Sequence, residues 1–203
     1  TSSLEAVDWD QDGIVDRLVV NSDGNVTFFN SDQRNSLVES SGAFNPAHAI
    51  HIGAHARPEA VDWDQDGLLD LLVGNFIGNV RFFKGAQDGS LVEASSVANP
   101  FQAIHVGMFA SPEAVDWDQD GLLDLLVGNG SGRVRFFKGA QDGSLMEASG
   151  PADPFRAIDV ASHACPEVVD WDQDGLLDIL VGDGVGNIRF FKGAQNGSIL
   201  EAS

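Results

Sequence analysis

The sequence predicts an all-β protein, a β-propeller of four-stranded antiparallel blades, and three observations predict it. The motif Asp-Trp-Asp-Gln-Asp-Gly begins at Asp8, Asp62, Asp116 and Asp170, and each step is 54 residues without insertion or deletion. Each repeat holds short segments rich in Val, Leu, Ile and Phe, separated by Asp-Gly, Asn-Gly or Gly-x-x-Gly turn signals. Apolar neighbours lie on both faces of these segments, as a sheet packed between two other sheets requires. Radially repeated sheets of this kind are propeller blades.

The elements follow in a fixed order, which the second repeat shows well. A Pro-Glu-Ala-Val segment predicts the first strand, residues 68–73 the second, residues 80–83 the third, and Ser-Leu-Val-Glu the fourth. We predict a single propeller domain over residues 1–203. Its repeats are 5–58, 59–112, 113–166 and 167–203, and its blades are 5–40, 59–96, 113–150 and 167–203.

The two ends of the repeat array differ. In repeat 1, Arg17 replaces an apolar residue and residues 30–35 replace the usual Lys-Gly-Ala-Gln-Asp-Gly, as suits an end unit. Repeat 4 is typical, so we expect it to pack against repeat 1 of its own chain, a second copy, or further repeats. Closure within the chain is the first expectation, and a homodimer that completes a larger ring is the alternative. An open solenoid is disfavoured because exposed apolar faces invite aggregation.

Composition excludes several classes of function. The chain has 31 acidic and 11 basic residues, a net charge of −20, which excludes nucleic acid as a partner. Its hydrophobic fraction of 43% excludes a disordered acidic tail. No apolar run approaches the roughly 20 residues that cross a bilayer, so we expect no membrane insertion. No nucleophile signature surrounds Cys165, the single cysteine, and we predict that the chain is not an enzyme.

The Asp-rich loop carries the strongest chemical signal. Asp occupies positions 1, 3, 5 and 9 and Gly position 6, which is the first part of the ligand pattern of an EF-hand, with a carbonyl ligand at position 7. Position 12 is Val rather than Glu and strands flank the loop, so these are not EF-hands. Solvated Asx turns are the alternative interpretation. Because hard oxygen ligands without Cys or His favour Ca²⁺, we predict one Ca²⁺ per repeat, four in all. The predicted ligands are Asp8, Asp10, Asp12, Ile14 and Asp16; Asp62, Asp64, Asp66, Leu68 and Asp70; Asp116, Asp118, Asp120, Leu122 and Asp124; and Asp170, Asp172, Asp174, Leu176 and Asp178.

These residues resemble a known family over nearly the whole chain. Asp-x-Asp-x-Asp-Gly-x-x-Asp between strands, followed by Leu-Leu-Val-Gly-Asn and Gly-Asn-Val-Arg-Phe-Phe, is similar to the FG-GAP/VCBS repeat of integrin alpha-chain propellers and many secreted proteins. The resemblance implies that the loop binds calcium on the first hairpin of a blade. Family propellers usually have seven or eight blades, whereas this chain has four. The family includes adhesion modules, fungal lectins and accessory domains of enzymes.

We therefore expect a calcium-binding propeller that serves as a binding, adhesion or assembly module for protein partners. The alternatives are a lectin-like glycan-binding propeller and an accessory domain or fragment of a larger propeller enzyme. We expect an extracellular or cell-surface location, although this chain contains no export signal, because sites without the position-12 Glu need calcium at about millimolar concentration. The protein or glycan ligand is expected at a rim of the propeller, where the repeats differ, as at Phe76 and Ile77.

Recurring side chains outside the loop have structural interpretations. The tryptophan at loop position 2 and the Phe-Phe pair of the third strand are predicted to be core residues. The Arg and Lys of the third strand are predicted to form solvated pairs with acidic groups. These side chains are Trp9, Trp63, Trp117 and Trp171; Arg81, Arg135 and Arg189; and Lys84, Lys138 and Lys192.

Overall fold

The structure is a computed structural model that describes residues 2–34, 36–40, 45–46, 50–95 and 99–202. Within these ranges, consecutive strands form four antiparallel four-stranded sheets, which confirms the predicted blades. The helical segment in this part of the chain is a 3₁₀ turn at Gly150–Ala152, and no helix there has the length and apolar character needed to cross a membrane. Asn35 of the divergent segment and Ser203 at the end of repeat 4 lie outside the described residues.

The chain divides into two compact units, residues 1–104 and 105–203, and each unit contains two blades. The single domain over residues 1–203 stays a prediction. In the first unit, the strands of blade 1 are β1 Ser3–Val7, β2 Asp16–Val20, β3 Val26–Ser31 and β4 Leu37–Glu39, and those of blade 2 are β5 Arg57–Val61, β6 Asp70–Gly74, β7 Val80–Gly85 and β8 Leu91–Glu93. In the second unit, the strands of blade 3 are β9 Ser111–Val115, β10 Asp124–Gly128, β11 Val134–Gly139 and β12 Leu145–Glu147, and those of blade 4 are β13 Cys165–Val169, β14 Asp178–Gly182, β15 Ile188–Gly193 and β16 Ile199–Glu201.

The second strand begins two residues later than its apolar run. In blade 2, the run starts at Leu68, whereas β6 starts at Asp70. The reason is that the Leu68 N–H donates to Asp66 Oδ1 at 3.0 Å and so belongs to the Asp-rich loop. All five residues of β6 and of β10 are buried, which confirms that these strands pack on both faces.

The core of each unit lies between its two sheets. In the first unit, Leu18 and Phe28 of blade 1 belong to one cluster with Leu71 and Phe83 of blade 2. In the second unit, the equivalent cluster joins blades 3 and 4. We call the set Trp117, Leu126, Val134 and Phe136 the leading face of blade 3, and the equivalent set Trp171, Leu180, Ile188 and Phe190 the leading face of blade 4. Burial between sheets is the dominant stabilising term of such repeats.

The loops that join blades also supply core side chains. Phe155, which is fully buried, lies between Trp117 and Phe136, with ring centroids 4.7 and 5.0 Å away. Phe101 is placed in the same way against Trp63 and Phe82 in the first unit. The aromatic contacts fix the loop against the leading face of the blade before it.

The core prediction holds for some tryptophans and not for all. Trp117 is buried, and Trp9 and Trp63 are half-buried. The prediction is wrong for Trp171, whose exposed fraction is 63%. Its leading face has no neighbouring sheet among the described residues of the second unit.

Candidate functional site

Each Asp-rich loop connects the first and second strands of a blade, and its last aspartate anchors it. In blade 2, the fully buried Asp70 accepts two backbone hydrogen bonds, from Gly85 N–H at 2.7 Å and from Trp63 N–H at 3.1 Å. The backbone is close-packed at Gly85, where a Cβ would lie 2.3 Å from the Leu69 carbonyl oxygen. Blade 1 makes the equivalent bond through the Ser31 N–H. The aspartates at the same position in the other blades make the same pair of bonds: Asp16, Asp124 and Asp178.

The first aspartate holds the turn of the loop. Asp62 accepts hydrogen bonds from Asp66 N–H at 3.0 Å and Gly67 N–H at 2.9 Å. The backbone is left-handed at Gln65 (φ 57°) and Gly67 (φ 87°), which lets the loop fold back over its own carboxylates. The same left-handed Gln and Gly recur in all four loops.

The folded loops bring acidic oxygens close enough to hold a metal ion. In each blade, three carboxylates place one oxygen apiece within 4.8 Å of one another. These groups are Asp8, Asp10 and Asp16; Asp62, Asp64 and Asp66; Asp116, Asp118 and Asp124; and Asp170, Asp172 and Asp178. The fourth predicted aspartate lies in the same loop but outside the group: Asp12, Asp70, Asp120 and Asp174. The predicted carbonyl residues, Ile14, Leu68, Leu122 and Leu176, are held in the turn by N–H bonds to the position-5 aspartate.

Burial and like charge disfavour the ionised form of two anchoring aspartates, Asp70 and Asp124. Burial raises the pKa of Asp70 to about 6, and the Asp64 carboxylate adds to the rise, while the Gly85 hydrogen bond opposes it. Burial likewise raises the pKa of Asp124 to about 6. A cation bound in the loop would favour the ionised form.

A lysine of the third strand contacts the loop in three of the blades. Lys84 contacts the carboxylates of Asp64 and Asp66, with Nζ 3.2 Å from Asp66 Oδ2. Lys138 and Lys192 make the equivalent contacts. The predicted pairing is confirmed, and its position was signalled by the constant 20-residue step from the position-3 aspartate to the lysine.

The loop of blade 1 has a different environment. Asn30 takes the place of the lysine and donates to Asp10 Oδ2 at 2.9 Å. Asp8 Oδ1 is the one buried side-chain oxygen or nitrogen in the described part of the chain that has no hydrogen-bond partner. An oxygen-only donor set with an unsatisfied buried carboxylate oxygen fits a hard cation.

The third-strand arginines form a second repeated cluster. Arg81 donates to both carboxylate oxygens of Glu93, at 2.6 and 2.7 Å, and its Nη1 donates to the His51 carbonyl at 2.7 Å. Arg135 and Arg189 form the same arrangement with Glu147 and Glu201. These pairs confirm the predicted ion pairing and connect each of these blades to the loop before it.

Each unit also has a cleft beside an Asp-rich loop, and the two clefts match position by position. The cleft of the first unit is about 430 Å³ and that of the second about 330 Å³, both within the ~300–1,000 Å³ range typical of ligand sites. In each, Trp-Asp-Gln of one loop faces the turn after the third strand of the next blade. In the second unit, the Trp117 Nε1–H donates to the Gly197 carbonyl at 3.2 Å across the cleft. The shared lining residues are Trp9, Asp10, Gln11, Leu68, Leu69, Ala86, Gln87, Asp88 and Gly89, and their equivalents Trp117, Asp118, Gln119, Leu176, Leu177, Ala194, Gln195, Asn196 and Gly197.

Comparisons with known proteins agree with this architecture. A family model described as an FG-GAP-like repeat matches residues 8–73, 62–127 and 116–181. Fifteen chains of solved structures match, among them an Agrocybe aegerita lectin whose structure is titled for the specific recognition of non-reducing terminal N-acetylglucosamine. That match has a TM-score of 0.58 and 17% identity and covers 100% of this chain and 51% of the lectin chain, so this chain spans about half of the lectin's length. No curated protein matches the sequence.

Proposed function

Because the chain belongs to the FG-GAP-like repeat family, we propose that it is a calcium-stabilised β-propeller module that binds a partner outside the cytosol. The main support for this proposal is that each of the four Asp-rich loops brings three carboxylates together at the first hairpin of a blade. The loop aspartates would hold the ion, together with the carbonyl oxygens of Ile14, Leu68, Leu122 and Leu176. Bound calcium would supply positive charge that links the two strands of the hairpin.

The extracellular location is supported by the donor set. The loops lack the bidentate position-12 Glu that raises affinity in EF-hands, since that position is Val in every repeat. Sites of this kind match extracellular modules, whose dissociation constants are about 10⁻⁴–10⁻³ M. Cytosolic calcium would leave them empty.

Thermal unfolding with and without calcium tests the proposal. A ligand that binds only the folded state stabilises it by mass action, about 2.7 kcal/mol per site at a hundredfold excess over Kd. We expect EGTA to lower the Tm and added Ca²⁺, but not Mg²⁺, to restore it. An unchanged Tm in EGTA, with no heat of Ca²⁺ binding by calorimetry, would reject the calcium function.

A pair of charge-matched variants separates specific binding from general charge repulsion. The loop variant changes the position-3 aspartates to Asn: Asp10, Asp64, Asp118 and Asp172. The control variant changes four exposed turn aspartates outside the loops to Asn: Asp23, Asp32, Asp88 and Asp142. The calcium-dependent rise in Tm should disappear in the first variant and persist in the second.

A protein partner is the first candidate ligand. The turn between β6 and β7 presents Phe76 and Ile77, with exposed fractions of 37% and 57%, at a position where the other repeats carry small or different residues. The His55 ring lies 5.8 Å from the Phe76 ring and extends this surface. An exposed apolar pair at a rim suits a protein contact.

A glycan is the second candidate ligand, favoured by the matched clefts and by the N-acetylglucosamine that the Agrocybe aegerita lectin recognises. A glycan array probed with the calcium-loaded chain, including terminal N-acetylglucosamine, tests it. Gln87→Ala with Gln195→Ala, one exposed side chain in each cleft, should abolish binding, whereas Gln102→Ala, exposed outside the clefts, should not. An array without any bound glycan would reject this candidate and leave the protein partner.

A further inference from the structure

In the part of the chain that the structure describes, three of the four Asp-rich loops are contacted by a lysine side chain, and the loop of blade 1 is not. In blades 2, 3 and 4, a lysine of the third strand contacts two loop carboxylates. In blade 1, Asn30 stands at this position and contributes a neutral amide, which donates to Asp10 Oδ2 at 2.9 Å. Three loops therefore have part of their charge balanced by the protein, and the first does not.

The arginine next to the first loop does not replace the missing lysine. Arg17 directly follows Asp16, but its Nη1 donates to the main-chain carbonyls of Val15 and Asp16, at 3.2 and 2.9 Å. Among the described residues, the ion pairs that reach an Asp-rich loop are those of Lys84, Lys138 and Lys192. The four carboxylates of blade 1 thus have no paired cation within the described part of the chain.

The hydrogen bonds of the first loop differ as well. In blade 2, the Asp66 N–H donates to Asp62 Oδ1 at 3.0 Å. In blade 1, the equivalent N–H of Asp12 donates to Asp10 Oδ1 at 3.2 Å, and Asp8 Oδ1 is left buried without a partner. A buried carboxylate oxygen without a donor is costly to the fold, and a bound cation would satisfy it.

We infer that the loop of blade 1 binds a divalent cation more tightly than the other three loops, whose lysines act as tethered competitors for the same carboxylates. This inference rests on the proposed calcium function. It makes the four sites unequal: blade 1 keeps its ion as calcium falls, while blades 2 to 4 exchange the ion for their own lysine. The chain then has one structural site and three that respond to calcium concentration.

Calorimetric titration of the calcium-stripped chain with CaCl₂ tests the inference. We expect one site to bind about tenfold more tightly than the rest, since an ammonium paired with exposed carboxylates is a modest competitor. Asn30→Lys gives blade 1 the lysine of the other blades and should remove the tight site. Terbium luminescence sensitised by the tryptophan at position 2 of each loop, which is Trp9 in blade 1, should lose its high-affinity phase in the same variant.

The reverse substitution provides a matched control. Lys84→Asn should convert the loop of blade 2 into a second tight site, so that calorimetry finds two tight sites instead of one. This variant tests the inference even if Asn30→Lys does not fold. Four equal sites that neither substitution changes would overturn the inference while leaving the calcium function intact. Absence of any calcium binding by the unsubstituted chain would instead reject the calcium function itself.

Discussion

Blades 3 and 4 have nearly the same sequence and the same strand register, yet their leading faces have opposite burial. The exposed fraction is 8% for Trp117 and 4% for Val134 in blade 3, whereas it is 63% for Trp171 and 72% for Ile188 in blade 4. The sheets themselves are paired in the same way. Sequence and register therefore determine the sheet, and only a neighbouring sheet determines whether its apolar face becomes core.

The opposite faces of the same two blades are alike. Ile179 and Val181 of blade 4 are fully buried, as are Leu125 and Val127 of blade 3. The large difference in apolar side-chain burial between the blades thus lies on the leading face. Pairs of equivalent substitutions in the second unit can measure how much stability a neighbouring sheet contributes.

The largest expected difference is between the two tryptophans. Trp117→Ala should lower the free energy of unfolding by about 3–5 kcal/mol, because it opens a cavity against Phe155 and removes the bond to the Gly197 carbonyl. Trp171→Ala should cost less than about 0.5 kcal/mol, since the side chain is mostly in water. Urea unfolding followed by far-UV circular dichroism compares the two variants.

Equal costs for the two tryptophans would contradict the comparison. They would show that another sheet covers the leading face of blade 4 in solution. Light scattering of the unsubstituted chain at the same concentration distinguishes the two sources of that sheet, because a second copy raises the mass above that of one chain and closure within the chain does not.

An intermediate difference is expected for the leucines at the centre of the two faces. Leu126 is fully buried and Leu180 is half-buried. Leu126→Ala should cost about 2–5 kcal/mol, and Leu180→Ala less than half of that, because its cavity opens to solvent. Midpoints of urea unfolding measure both, and a larger loss for Leu180→Ala would mean that this face is the more tightly packed one.

The smallest difference, close to zero, is expected for the arginines of the third strand. Arg135 and Arg189 bond a glutamate and a main-chain carbonyl in the same way, and their exposed fractions are 31% and 32%. Arg135→Ala and Arg189→Ala should therefore lower the Tm by the same small amount. Differential scanning calorimetry tests this equality, and unequal shifts would place the difference between the blades outside the leading face.

Much of the fold could be predicted because the repeat period is encoded locally. The spacing of Asp62 and Asp116 and the turn signals between them predict four strands per repeat without any knowledge of packing. The core roles of Phe101 and Phe155 could not be predicted from the period alone. The two residues are 54 positions apart in matching Pro-Phe-x-Ala-Ile segments, but their spacing does not show that the loop packs against the leading face of the blade before it. The exposure of Trp171 could not be predicted either, because it depends on a neighbouring sheet rather than on the residue.

In the candidate site, the loop could be predicted from the sequence, but individual hydrogen bonds could not. The Asp-rich loop was predictable from its spacing, and the contact of Lys84 with acidic groups from its charge. The unsatisfied oxygen of Asp8 was not, since it depends on which of two carboxylates the Asp12 N–H meets. Similarly, the residue in the loop before the first strand of a blade can vary, as between His51 and Asp159, because the arginine bonds its main-chain carbonyl.

The constant 54-residue length of the repeats affects how such a chain can change in length. A deletion or duplication with breakpoints at the same position of two repeats, such as Asp62 and Asp116, leaves every hairpin and every loop intact. A one-residue insertion within a strand instead moves the apolar set of that strand to the wrong face. Unequal exchange between equivalent positions of two repeats would therefore add or remove one whole blade and leave the other sheets unchanged.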